Sequence, residues 1–95
     1  MPTSNDYITY VLELLRETSG ITYKKMMGEV ILYKDGIIFG GIYDNRFLIK
    51  KTKSLDDSGM KEEIPYPTGK PMLLIDSEDP EEIHDLVMMV IRDLR

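Results

Sequence analysis

The sequence predicts a two-layer α+β domain with an antiparallel sheet and the element order α-β-β-β-α-β-β-α. Three observations carry this. Apolar, strand-like runs are punctuated by two tight-turn pairs, Asp35-Gly36 and Asp44-Asn45. Each end of the chain carries a one-faced apolar stripe at helical spacing. Strands joined by turns this short must run antiparallel, and helices at both ends then cover one face of the sheet.

The first helix is expected over about 5–18. Ser4, Asn5 or Asp6 can cap it by accepting from first-turn N–H groups. Ile8, Val11, Leu12 and Leu15 recur at i, i+3, i+4 and i+7, and Gly20 is the expected stop. A first strand is expected from Tyr23 through Tyr33, a second over Ile37–Tyr43 and a third over Arg46–Lys51. Asp35-Gly36 is a strong hairpin signal, because a type I′ turn needs positive φ at both central positions. Gly40-Gly41 inside the second strand suggests a bulge or a close backbone approach; a phosphate cradle would need a strand–loop–helix context.

Ser54 opens an S-x-x-D pattern ending at Asp57, so a short helix is expected over 54–59, stopped by Gly59. Glu62–Tyr66 reads as an extended segment on a sheet edge, since Pro65 and Pro67 cannot donate to a ladder. Thr68-Gly69-Lys70 forms a turn and Pro71–Ile75 the fifth strand. The last helix is capped by Asp79, opened by Pro80 and favoured by Glu81 and Glu82 at its positive end. Its apolar stripe is Ile83, Leu86, Val87, Val90, Ile91 and Leu94.

Length and composition bound the function. Residues 1–95 make one domain, 42% hydrophobic and 31% charged. The chain has no cysteine, hence no disulfide or thiolate site, which favours a cytoplasmic location. No signal peptide is read at Met1–Asp6, and no apolar run reaches membrane-spanning length. Net charge is −5, which argues against direct DNA binding. The charge is uneven: residues 22–53 hold seven bases and three acids, +4, against five bases and fourteen acids elsewhere, −9. The central segment is therefore the candidate for an anion contact.

No catalytic, cofactor or metal residues emerge. His84 is the only histidine, and Glu81-x-x-His84 is half of a di-metal motif that needs a second copy. The alternative is a solvated histidine beside the apolar stripe. No serine stands in a nucleophile-elbow context. The paired acids Asp56-Asp57, Glu62-Glu63 and Glu81-Glu82 read as caps and solvated faces. Lys24, Lys25, Arg46, Lys50 and Lys70 are candidate contacts for a partner or an anion, although charged side chains also protect exposed sheet edges. The runs Val30-Ile31-Leu32-Tyr33 and Ile37-Ile38-Phe39 are apolar on both faces, whereas a sheet with one wet face should alternate. Either a second subunit covers the far face, giving a homodimer, or the last helix and the 60–70 segment wrap it. Ile31, Phe39, Met88 and Met89 are the candidate dimer surface. The two methionines flank the stripe of the last helix and suit an adaptable contact.

The run Tyr23-Lys24-Lys25-Met26-Met27-Gly28-Glu29, then Leu32–Gly40 and Phe47-Leu48-Ile49-Lys50, resembles the N-terminal domain of the TfoX/Sxy family of competence regulators. So do Ser58-Gly59-Met60, Ile64-Pro65-Tyr66-Pro67 and Gly69-Lys70-Pro71-Met72. Met27 stands where the family usually has phenylalanine, and the helical C-terminal domain that many members carry does not follow here. The resemblance implies a secretion-chaperone-like fold, no enzyme activity and a transcription-related protein partner; no cofactor is expected. The expected function is a non-catalytic regulatory or protein-binding domain. The alternatives are a nucleic-acid-associated regulator using the 22–53 meander and a small-ligand-binding module.

Overall fold

In the computed structural model, which describes residues 3–95, two helices lie on one face of a six-stranded antiparallel sheet. Helix α1 (Asn5–Leu14) leads into strands β1 (Ile21–Met26), β2 (Glu29–Lys34), β3 (Ile37–Ile42) and β4 (Phe47–Lys50). A short 3₁₀ turn (Lys53–Leu55), β5 (Glu62–Glu63), β6 (Met72–Leu74) and helix α2 (Pro80–Leu94) follow. The spatial order is β1-β2-β3-β4-β6-β5. The α+β class and the one-sided helical cover agree with the sequence reading.

The meander has four strands, where the sequence predicts three. The stretch read as one strand over 23–33 folds back on itself at Met27-Gly28, pairing Met26 with Glu29. Both turn residues have positive φ, 52° and 85°, as do Asp35-Gly36 (51° and 82°) and Asp44-Asn45 (52° and 55°). A two-residue turn with positive φ at both positions matches the natural strand twist. At Asp44-Asn45 the Tyr43 and Arg46 backbones exchange both hydrogen bonds at 2.9 Å, and Glu29 Oε2 accepts from the Asp44 N–H.

The helices follow their caps. Ser4 Oγ accepts from the Tyr7 N–H at 3.1 Å, and Asp79 Oδ1 accepts from the Glu81 N–H at 3.0 Å. Helix α1 ends at Leu14 rather than near 18, and Leu15 to Gly20 turn into β1. The helix expected over 54–59 is a single 3₁₀ turn, because Ser54 serves a tertiary contact and leaves the local cap unmade. Its N–H and Oγ donate to the two Asp93 oxygens at 2.8 and 2.7 Å, tying the turn to the end of α2. The Asp93 carboxyl lies below its usual pKa, and its hydrogen bonds come from the Ser54 hydroxyl and N–H.

The core lies between helices and sheet. Ile8, Val11 and Leu15 of the first segment and Ile83, Val87, Val90 and Ile91 of α2 pack with Val30, Leu32, Phe39, Ile42, Phe47, Ile49 and Leu73. Between Leu32 and Tyr33 the β2–β3 register shifts: Leu32 opposes Gly40 and Tyr33 opposes Ile38, so Phe39 is the extra residue of a bulge. Phe39 is fully buried in this core. Its place on the expected dimer surface is thereby corrected, because the bulge delivers its ring to the helix side.

Candidate functional site

The second face of the sheet is where side chains remain available. Cross-strand partners share a face, so the pairs Lys24–Ile31, Ile31–Gly41, Gly41–Leu48 and Leu48–Leu74 run in one row across it. Thr22, Tyr33 and Ile38 form a neighbouring row. Over β4 the chain covers this face itself. Leu48 is fully buried, and the Tyr43 ring lies against Gly41, where an added Cβ would stand 2.7 Å from Tyr43 Cε2. Tyr66 packs on Tyr43 with ring centroids 6.2 Å apart, and Pro65 is buried beneath its arm. The 60–70 segment therefore supplies the wrap that the sequence offered as one alternative, while α2 stays on the other face. Over β2 and β3 the cover stops: Ile31 and Tyr33 are half-buried and Ile38 is 40% exposed.

Arg46 holds the wrapping arm. Its Nε donates to Tyr43 O at 3.1 Å, Nη1 to Glu63 Oε1 and Ile64 O at 3.0 and 3.1 Å, and Nη2 to Pro65 O at 3.2 Å. Arg46, then Lys61, keeps the Glu63 carboxyl below its usual pKa. Arg46 is thus a clamp within the fold, and the expectation that it contacts a partner or an anion is corrected. Its planar fork serves three carbonyls that a single ammonium could not reach together. Arg46→Ala is expected to cost about 2 kcal/mol, roughly 10 °C in Tm for a domain this small. Arg46→Lys should recover little of that. Thermal unfolding followed by circular dichroism checks both.

Between this arm and β3–β4 lies a cleft of about 570 Å³. Ile38, Tyr43, Pro65, Tyr66, Met72 and Leu94 supply its apolar lining, and Lys50, Lys51 and Lys70 its charge. Among the described residues no Asp or Glu lines it. Burial pushes the Tyr43 phenol pKa up, with Tyr66 the next contribution, so the hydroxyl stays protonated.

Lys24, Lys25, Lys34 and Lys53 of the basic meander lie outside the cleft. Lys25 lies on the helix side and donates to Asn5 Oδ1 at 3.1 Å. Lys34 is buried, donating to Ser19 O at 2.7 Å and pairing with Asp35 at 3.0 Å. Lys51 pairs with Glu62 at 3.4 Å. Of the five sequence candidates, Lys50 and Lys70 share the cleft and Lys24 stands apart at the β1 edge, on the same face. Tyr43 and Tyr66 are cleft residues that the sequence reading did not select, and Lys51 joins them from the 22–53 segment named as the candidate for an anion contact.

The remaining dimer candidates separate as well. Met88 and Met89 are half-buried on α2, with Met89 packed against the core, while Ile31 is on the opposite side of the sheet. They cannot form one surface with it. His84 Nδ1 lies 3.3 Å from Thr18 Oγ1, linking α2 to the segment after α1. This replaces the solvated histidine of the sequence reading. Among the described residues no group of three His, Asp or Glu side chains is placed to hold a metal ion. No helix among them is long and apolar enough to cross a membrane.

Fold and face together define a two-layer α+β domain with a filled helical side and a part-covered sheet side bearing a cationic, apolar cleft. Compared with protein-family models and with curated proteins, the chain matches none.

Proposed function

We propose that this chain is a non-catalytic regulatory domain that works by binding protein through the open part of its sheet. The observation that carries this is the strip Ile31, Tyr33 and Ile38, left half-exposed or exposed beside the β4 part of the face, which the chain covers for itself. Apolar residues contiguous on a sheet face gain by removal from water when another surface covers them. A second copy of the chain is the first occupant of this strip, and a transcription-related protein the second. The resemblance of residues 23–72 to the TfoX/Sxy N-terminal domain supports the regulatory part, and the cysteine-free composition supports a cytoplasmic setting.

Sedimentation equilibrium at micromolar concentration tests the self-association: a species of twice 11.0 kDa is expected. Ile31→Glu should return it to a monomer that still unfolds cooperatively. A monomer throughout removes the homodimer. Affinity capture from the native host, followed by binding measurements on the purified partner, tests the rest. A partner held equally well by wild type and Ile31→Glu, or no partner at all, overturns binding through this face.

A further inference from the structure

We propose that the cleft between β3–β4 and the 65–71 arm is a binding site for a small organic anion with a flat apolar body, such as an aromatic carboxylate, sulfonate or phosphate ester. The site goes beyond the protein-binding strip: it shares Ile38 and the sheet face with it, but its ligand is a small anion and its test uses no protein partner. Size is the first support. At about 570 Å³ the cleft falls within the range of small-molecule sites, roughly 300–1,000 Å³.

Charge is the second. The chain carries 17 acids against 12 bases, yet the cleft is lined by three lysines and no acid. Lys51 is held by Glu62 at 3.4 Å. Lys50 and Lys70 form no ion pair among the described residues. Their ammonium groups are therefore available to an incoming anion, beside apolar walls that water solvates poorly.

Wall chemistry is the third. Tyr43 and Tyr66 present rings with polar tips, and Pro65, Met72 and Ile38 complete an apolar lining suited to a flat body. The wall is built rather than incidental, because the four Arg46 bonds that hold Tyr43 and residues 63–65 fix its position.

The test is a nuclear magnetic resonance titration of the whole ¹⁵N-labelled chain with 1-anilinonaphthalene-8-sulfonate. N-phenyl-1-naphthylamine, the same ring system without the sulfonate, is the control probe. The sulfonate should bind saturably, with amide shifts centred on Gly40, Lys50, Tyr66, Gly69 and Lys70. The neutral probe should bind about tenfold more weakly, a difference of one ion-pair-sized interaction. Lys50→Gln combined with Lys70→Gln should weaken the sulfonate about tenfold and leave the neutral probe unchanged. Both lysines are exposed or half-exposed, so the variant keeps its amide spectrum. Tyr66→Ala should weaken both probes. Shifts that do not saturate, shifts centred on the helix layer, equal binding of the two probes, or an unaffected lysine variant would each overturn the proposal.

Discussion

Phe39→Ala is expected to lower the stability of the domain by about 3–5 kcal/mol, the range for truncating a fully buried aromatic side chain. Phe39 is among the largest side chains with no exposed surface, and it packs in the cluster that joins both helices to the sheet. The loss has two parts: transfer of the ring's apolar area, and the cavity left where close-packed neighbours relax only partly. Domains of this size have total stabilities of about 5–15 kcal/mol, so the variant should be close to unfolding at ambient temperature. The measurement is urea unfolding followed by circular dichroism. An interface residue would behave otherwise, changing the sedimentation mass while the unfolding midpoint stays near wild type. A loss below about 1 kcal/mol would be that of a surface site and would refute the core placement.

Gly40→Ala should cost about 3 kcal/mol or more, at the upper end of what overpacking does. A Cβ at this position would overlap the Leu48 carbonyl oxygen and stand 2.9 Å from Ile49 Cα. Both contacts are backbone atoms of β4, which is itself held between β3 and β6 and cannot withdraw. Gly36→Ala is the informative control. No atom of the described residues lies within 4 Å of a Cβ there, but φ is +82°. Its cost is only the left-handed backbone conformation, about 1 kcal/mol. Chemical denaturation of the two variants side by side should therefore rank Gly40→Ala well below Gly36→Ala. The reverse ranking would show that the β3–β4 contact is looser than described.

Local chemistry made much of this fold legible. Asp35-Gly36 and Asp44-Asn45 are turns because Asp, Asn and Gly tolerate positive φ, and the structure finds both. Asp79 and Pro80 start α2 where a cap and a φ-locked first residue should. Met27-Gly28 was not legible, because methionine carries no preference for positive φ. The adjoining apolar run then reads as one long strand. Ser54 shows the opposite failure. Its capping pattern is present, but Asp93, distant in sequence, offers two charge-assisted bonds in place of one local bond.

The candidate site was less legible than the fold. Lys50 and Lys70 could be named as basic residues, but nothing in their spacing says that they share a cleft. The β4–β6 pairing brings them together by placing Lys50 opposite Met72, two residues beyond Lys70. Arg46 could be read only as one more cation, since three of its partners are backbone carbonyls, which every sequence position possesses.

What the sequence by itself determined is the set of parts: amphipathic helices at both ends, an antiparallel meander with Asp and Asn turns, and more apolar strand surface than one helical layer can cover. Those follow from interactions within a few residues along the chain, where side-chain type and period suffice. Only the tertiary structure decided that Phe39 faces the core through a bulge, and that the 64–70 arm covers the second face over β4. It also decided that Arg46 clamps that arm and that two distant lysines meet in an acid-free cleft. These depend on strand register and on partners that lie far apart in sequence, so they exist only once the sheet has closed.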